Sequence, residues 1–192
     1  KDFPSQLACH AASQAADFQL SGPPTLLANG FDFSRYSFNP DPQPCLGWVG
    51  RIAPEKGLED AAHVAAAKQW PLRVWGLKED AAYAAAVEAS VPAGTIEWRG
   101  FLPTEQLQRE LGQCAVMLNT PKWNEAFGNV VVEAMACGVP VVAYRRGGPG
   151  ELIEDGLTGY GVPPDQPEAL LQHLPAALAL DRLACRAQAE RR

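Results

Sequence analysis

The sequence has little of what several classes of protein require. None of its apolar runs is long enough to cross a membrane, and no stretch has the pattern of a signal peptide. Lysine and arginine total 16 against 22 aspartates and glutamates, which gives a net charge of −6. Because nucleic acids and anionic membranes attract clustered positive charge, this balance argues against either as a general partner.

The spacings that bind metal ions are also missing. The five cysteines are widely scattered and form no C-x-x-C pair, and the three histidines lie far apart in Ala- or Leu-rich segments. We expect no metal site, and we expect the cysteines to be reduced packing residues of a cytoplasmic protein. They are Cys9, Cys45, Cys114, Cys137 and Cys185.

The two ends of the sequence lack the cap and turn residues that usually mark the ends of a domain. Residues 1–20 predict a short amphipathic helix, and the Pro-, Gly- and Asn-rich segment that follows is typical of an extended linker. We therefore expect a piece of a longer protein, in which residues 1–42 are the end of a preceding domain plus the linker. Residues 43–192 would form one domain.

From Cys45 onward, short strand-like runs alternate with Ala-rich segments that favour helices. The predicted strands are CLGWVG, LRVWG, TIEWRG, AVMLN, PVVAY and GYGV, with helices between them and a last helix from Pro167 onward. This alternation predicts an α/β fold with a doubly wound, Rossmann-like parallel sheet. Ligands of such sheets bind beyond the carboxyl ends of the strands, so the loops after strands are the candidate sites.

The loop after the first strand, GRIAPEKG, carries two cations beside Gly50. Arg51 follows the strand directly, and Lys56 is predicted to open the next helix, where a cation faces the positive end of the helix dipole. A bound phosphate would explain this placement. Two solvated cations, with Lys56 paired to Glu59, explain the loop about equally well.

A second candidate site lies in WNEAFGNVVVEAMACGVPVVAY, residues 123–144, which places Glu133 within an apolar helix. Glu125 precedes it beside the pair Phe127 and Gly128. A carboxylate accepts two hydroxyls, so each glutamate suits the diol of a sugar or ribose. The alternative is an N-terminal helix charge for Glu125 and a structural ion pair for Glu133. We favour the ligand role for Glu133, because an unpaired buried charge is costly.

Two further loops follow predicted strands. RGFLP, residues 99–103, offers Phe101 and Leu102 for a flat apolar slot that suits a nucleobase, although core packing explains them nearly as well. RRGGPGE, residues 145–151, contains a Gly-Gly pair that is usually only a turn. Its glycines do not follow G-x-G-x-x-G, so the sequence gives little support for dinucleotide binding.

Several of these motifs together resemble a known family. GRIAPEKG, EAFGNVVVEAMACGVPVVA and GGPGELIEDGLTGYGV, in this order, resemble the donor half of a glycosyltransferase family 4 enzyme of GT-B architecture. The likeness covers residues 45 to about 190 and includes the E-x7-E spacing of Glu125 and Glu133. ANGFDFSRYSFNP resembles the linker between the two domains of that family.

The resemblance implies a retaining transfer of a hexosyl group from a nucleotide-sugar, UDP-glucose by default, with no metal ion or other cofactor. Arg51 and Lys56 would neutralise the diphosphate, Glu125 would hold hydroxyls of the donor sugar, and Glu133 would hold the ribose. Arg51, Lys56 and Glu125 would be the catalytic residues, and the main task of Glu125 would be to position the donor sugar. Further substrate-binding residues implied are Gly50, Phe101, Leu102, Leu107, Phe127, Gly128, Asn129 and Val130.

The sequence departs from that family in two ways. Leu77, Lys78 and Glu79 follow Gly76 where many members have Gly-x-Gly, and we expect the acceptor-binding domain of that family to be missing from these residues. We therefore expect this chain to bind the donor but to turn over little, with an unidentified acceptor and with membrane contact only through the missing domain. A sugar phosphorylase, a nucleotide-sugar epimerase and a non-catalytic binding module are the alternatives.

Overall fold

The structure is a computed structural model that describes residues 8–17, 25–27 and 29–191. Near its N-terminal end, two short parallel strands, β1 (Ala8–Cys9) and β2 (Thr25–Leu26), are joined through the helix α1 (Ala12–Asp17). The helix predicted over residues 1–20 is thus shorter than expected, and a strand precedes it. The remainder of that prediction lies outside the described residues.

The main sheet has six strands. They are β3 (Gln43–Val49), β4 (Leu72–Trp75), β5 (Ile96–Gly100), β6 (Cys114–Asn119), β7 (Val141–Tyr144) and β8 (Gly159–Val162). Their order is β5-β4-β3-β6-β7-β8, and every neighbouring pair is parallel. This confirms the predicted doubly wound, Rossmann-like sheet. The strand order reverses between β3 and β6, which is where such sheets bind ligands.

Helices cover both faces of the sheet. They are α2 (Leu58–Lys68), α3 (Ala81–Ala89), α4 (Thr104–Leu111), α5 (Asn129–Ala136), α6 (Gly148–Leu152), α7 (Pro167–Leu178) and α8 (Arg182–Ala189). In α2 the buried residues Leu58, Ala61, Ala62 and Ala65 follow the spacing of one helix face. The core accordingly forms two clusters, one of which holds Trp48 and the other Trp75.

The C-terminal segment forms two helices, so the single helix predicted from Pro167 onward is wrong. The carboxylate of Asp181 accepts a hydrogen bond from the backbone N–H of Leu183 at 2.8 Å and thereby starts α8 as a separate helix. Arg182 donates to the carbonyl oxygens of Asn39 and Gly112, both at 2.8 Å. These bonds tie α8 to the segments that lead into β3 and β6.

The five cysteines are all free and buried, which confirms them as packing residues. Deep burial lowers the reactivity of a thiol because it disfavours the thiolate form. Burial raises the pKa of the Cys137 and Cys185 thiols to about 12, so both stay protonated at neutral pH. Over the described ranges, no helix combines the length and apolar character that a bilayer span requires.

The loops after β6 and β7 touch through their backbones. A Cβ atom added at Gly147 would lie 2.2 Å from the carbonyl oxygen of Glu125, and one added at Gly148 would lie 2.2 Å from that of Phe127. The N–H of Gly148 donates to the Glu125 carbonyl at 2.7 Å. The Gly-Gly pair is therefore more than a turn, because it fixes the position of Glu125.

We expect Gly147→Ala to destabilise the chain more than Gly156→Ala. Both glycines have positive φ values, +70° and +80°, so alanine is strained at either position, and ψ of −151° places Gly147 in a region that essentially only glycine adopts, at a cost of roughly 1 to 3 kcal/mol. Only at Gly147 does the added Cβ meet backbone atoms, because Gly156 has nothing within 4 Å. Urea denaturation should show that Gly147→Ala lowers the free energy of unfolding by about 3 kcal/mol or more. Equal losses in the two variants would contradict this contact.

Candidate active site

A cleft of about 340 Å³ opens at the carboxyl ends of β3 and β6, where the strand order reverses. It is lined by the end of β3 and the loop after it, by the end of β6 with the loop and first helical turn that follow, and by His10 and Asn29 of the N-terminal segment. Eight residues predicted from the sequence are among them: Gly50, Arg51, Lys56, Glu125, Phe127, Gly128, Asn129 and Val130. The fold thus brings the two main candidate motifs together.

Arg51 is held by two carboxylates. Its guanidinium donates to Glu79 at 2.5 Å and to Glu55 at 2.8 Å, and all three side chains remain partly exposed. The hydrogen bond to Glu79 is the main cause that raises the pKa of Arg51 above its ordinary value, so Arg51 is a permanent cation. A phosphate group would bind Arg51 by replacing or sharing these carboxylate contacts.

The prediction that Lys56 opens a helix is wrong. Lys56 is instead the last residue of the 3-10 turn Pro54–Lys56. Helix α2 begins at Leu58, so an unfavourable helix dipole cannot be the reason to expect an anion at Lys56. The predicted local pair with Glu59 is wrong as well. The ammonium group of Lys56 lies instead against Glu125, which comes from the loop after β6.

The ion pair of Lys56 and Glu125 joins the two sides of the cleft. Nζ of Lys56 is 2.5 Å from Oε2 of Glu125, and the two side chains are only 17% and 21% exposed. The indole N–H of Trp123 donates to the same oxygen at 3.2 Å, and Nζ of Lys56 lies 4.8 Å from the centre of the indole ring. Partial removal from water strengthens this pair relative to a surface ion pair.

The first turn of α5 presents its backbone to the cleft. No side chain caps this turn, which begins at Asn129 after Gly128 in the left-handed conformation, with φ at +91°. Free N–H groups and the helix dipole at such a terminus favour an anion. Close approach of a ligand is the expected reason for Gly128. The structure gives a second reason, because a Cβ there would lie 2.8 Å from the ring of Pro149.

A second, apolar hollow of about 180 Å³ adjoins the cleft and shares Val49, Gly50 and Arg51 with it. We call it the apolar slot, and its other lining residues are Trp75, Gly76, Leu77, Phe101, Leu102 and Leu107. The three residues predicted for a base pocket, Phe101, Leu102 and Leu107, therefore lie together. Leu77 and Phe101 are 56% and 68% exposed, so both offer apolar surface to a ligand.

Glu133 lines neither the cleft nor the apolar slot. Burial raises the pKa of its carboxyl above the ordinary 4.5, and the amide of Gln108 offsets part of this shift. That amide is itself fully buried, and its Nε2 atom makes no hydrogen bond of normal geometry. Across the described part of the chain Glu133 has no salt bridge, so the alternative of a structural ion pair gains no support.

Three side chains that the sequence analysis does not assign also act here. Trp123 contacts Glu125, and Glu79 contacts Arg51. Asn119 lines the cleft with a buried Oδ1 atom that has no hydrogen-bond partner among the described residues. Asn119 is the last residue of β6, and the rule that ligands bind beyond strand ends points to it. No sequence signal reveals the contacts of Trp123 and Glu79, because both depend on the packing of the loops.

No cluster of three or more His, Cys, Asp or Glu side chains is placed to hold a metal ion in residues 8–17, 25–27 and 29–191. The charged groups of the cleft are the cations Arg51 and Lys56 and the carboxylate Glu125. Together with the first turn of α5, they can bind a ligand that combines phosphate groups with hydroxyls.

Similar proteins agree with this chemistry. A GDP-mannose-dependent alpha-mannosyltransferase of Mycobacterium tuberculosis is 32% identical over 148 residues, which are 77% of this chain and 38% of that protein. A 2-deoxystreptamine N-acetyl-D-glucosaminyltransferase of Streptomyces fradiae is 35% identical over 119 residues, or 57% of this chain and 28% of that protein. This chain therefore spans less than two fifths of either relative.

A solved structure shares the fold over almost the whole chain. Anabaena Alr3699/HepE, in complex with UDP and glucose, is 26% identical and matches with a TM-score of 0.81, covering 99% of this chain and 59% of that one. The expected GT-B likeness is thereby confirmed. The family model described as glycosyl transferases group 1 matches residues 32–192, and the chain therefore belongs to the group 1 glycosyl transferases.

Proposed function

We propose that this chain is the donor-binding part of a retaining glycosyltransferase of family 4, which transfers a hexosyl group from a nucleotide-sugar. The observation that carries the proposal is the convergence of Arg51, Lys56 and the first turn of α5 on one cleft, next to an apolar slot. A diphosphate needs the first feature, and a nucleobase suits the second. The five free, buried cysteines support a cytoplasmic location.

The geometry suggests one arrangement of the donor. The base enters the apolar slot, and the diphosphate lies between Arg51, Lys56 and the backbone of residues 128–130, with the sugar beside Glu125. The sugar is bonded to the diphosphate, so its binding carboxylate must be close to the cations. The 2.5 Å contact between Lys56 and Glu125 meets that requirement.

Transfer breaks the bond between the anomeric carbon of the sugar and the diphosphate oxygen. Two cations and a helix N-terminus stabilise the negative charge that develops on the leaving diphosphate. Glu125 positions the sugar by accepting its hydroxyls. The hydroxyl of the acceptor attacks on the face that the diphosphate leaves and passes its proton to the departing diphosphate oxygen. The family match to transferases does not favour a phosphorylase or an epimerase.

The choice of donor follows from relatives. HepE is described in complex with UDP and glucose, and the mannosyltransferase relative is described as GDP-mannose-dependent. We propose UDP-glucose as the donor, with GDP-mannose as the second candidate. The two differ in base and sugar, so the apolar slot and the surroundings of Glu125 determine the preference.

Thermal unfolding with UDP, GDP, ADP, UDP-glucose and GDP-mannose tests this proposal. A ligand at about a hundred times its dissociation constant adds about 2.7 kcal/mol, which raises the midpoint by roughly 5 to 11 °C in a domain of this size. We expect such a rise with one base, and we expect Arg51→Ala to abolish it. A cooperative transition that no nucleotide shifts at millimolar concentration would contradict the proposal.

Arg145→Ala is the matched control for that experiment. Arg145 is 46% exposed and forms a 2.5 Å ion pair with Asp155, and Arg51 is 47% exposed with a 2.5 Å ion pair to Glu79. The two variants therefore lose comparable surface interactions, and only Arg51 lines the cleft. The control should keep the full rise in midpoint.

Glu133→Gln should make the unliganded chain more stable. Burial raises the pKa of Glu133 in the folded state, so the folded chain binds more protons than the unfolded chain above about pH 4.5. Stability from this residue is present at lower pH and is lost as the pH rises through the folded pKa. The midpoint advantage of the variant should grow from pH 5 to pH 8. An advantage that is constant or absent would contradict this prediction.

Nucleotide binding should not require a divalent ion. Arg51, Lys56 and the helix terminus already supply the positive charge that a diphosphate needs. Titration calorimetry with UDP should give dissociation constants within about twofold in EDTA and in millimolar Mg²⁺. A gain of more than about tenfold with Mg²⁺ would contradict a purely cationic diphosphate site.

A further inference from the structure

Trp123 is an exposed aromatic residue that reaches into the site through its indole nitrogen. We propose that Trp123 is a positioning residue, which holds Glu125 in place for the hydroxyls of the donor sugar. This inference rests on the proposed function. It adds a role for a residue outside the E-x7-E pair and the cationic loop, and it concerns recognition of the sugar rather than of the nucleotide.

The two oxygens of Glu125 have different surroundings. Oε2 accepts from Nζ of Lys56 at 2.5 Å and from Nε1 of Trp123 at 3.2 Å. Within the described ranges, no hydrogen bond is made to Oε1. A carboxylate oxygen has two acceptor positions, so Oε2 is fully used and Oε1 keeps its capacity for hydroxyls. The backbone of Glu125 is fixed in addition by Gly147 and Gly148.

Trp123 is needed because a bound diphosphate competes with Glu125 for the ammonium group of Lys56. A bound diphosphate attracts the ammonium group of Lys56 and weakens its hold on Glu125. The indole N–H is a neutral donor, which a phosphate does not draw away by charge. In the loaded site Trp123 therefore keeps Oε2 in place while Oε1 accepts the sugar.

The loop that carries Trp123 is itself anchored. The preceding residue, Lys122, contacts the buried carboxylate of Asp60 at 2.5 Å, and the hydroxyl of Tyr144 donates to the same carboxylate oxygen at 2.6 Å. The backbone N–H of Lys122 also donates to the carbonyl of Glu55 at 2.8 Å. A residue on so fixed a loop can orient a neighbour without moving itself.

Trp123→Phe removes the indole N–H and keeps an aromatic ring next to Lys56. We expect the affinity for UDP-glucose to fall about tenfold, as for loss of a hydrogen bond to a charged group, and the affinity for UDP to stay within about twofold. Titration calorimetry measures both. If GDP rather than UDP raises the midpoint of thermal unfolding, the titrations use GDP-mannose and GDP instead of UDP-glucose and UDP.

Trp70→Phe is the matched control. Nζ of Lys68 lies 4.8 Å from the ring centre of Trp70, the same distance as between Lys56 and the ring of Trp123. Trp70 precedes β4 at the amino ends of the strands, away from the cleft. This variant should change neither affinity. In a Glu125→Gln background, Trp123→Phe should cause little further loss, because its effect passes through Glu125.

The outcomes separate the inference from the proposed function. Equal losses for UDP and UDP-glucose, or no loss for either, would overturn the role of Trp123 and leave donor binding intact. A full additional loss in the Glu125→Gln background would overturn it too. If the unaltered chain binds neither ligand, the proposed function fails, and this inference fails with it.

Discussion

The candidate site depends on the reversal of strand order between β3 and β6. Because crossovers between parallel strands have one hand, the chain leaves these two strands toward opposite faces of the sheet and opens a gap at its edge. One side of the gap carries Arg51 and Lys56, and the other carries Glu125 and the first turn of α5. Of the two cations, Lys56 pairs with Glu125 across this gap, whereas Arg51 pairs with Glu55 and Glu79.

Loops hold functional groups in place only when something fixes the loops. Here a polar network does so after β6 and β7. Asp60 in α2 contacts both Lys122 and Tyr144, and Asp165 contacts Lys122 at 3.2 Å and Arg146 at 2.5 Å. Asp60 is only 8% exposed, and a buried carboxylate that holds two partners restricts how they are arranged. The positions of Trp123 and Glu125 follow from this arrangement.

The sheet could be predicted from the sequence because its signals are local. Each predicted strand overlaps an observed one, and GYGV coincides with β8. Site membership was predictable in large part, since ligands bind after strands. Side-chain partners were not predictable. The sequence analysis considers Glu59 as a local partner for Lys56, but the true partner, Glu125, becomes close through tertiary packing. The break before α8 was missed although Asp181 is a common capping residue.

Both cations of the site have carboxylate partners before any ligand arrives: Glu55 and Glu79 for Arg51, and Glu125 for Lys56. A diphosphate thus exchanges ion pairs, and only the difference between new and old contacts contributes to affinity. The displaced carboxylates have different fates. Glu79 is 44% exposed and would return to water, whereas Glu125 would keep its contact with Trp123. Under the proposed function, the exchange would therefore favour a phosphate that carries a sugar over inorganic phosphate, which offers Glu125 no hydroxyls of a sugar ring.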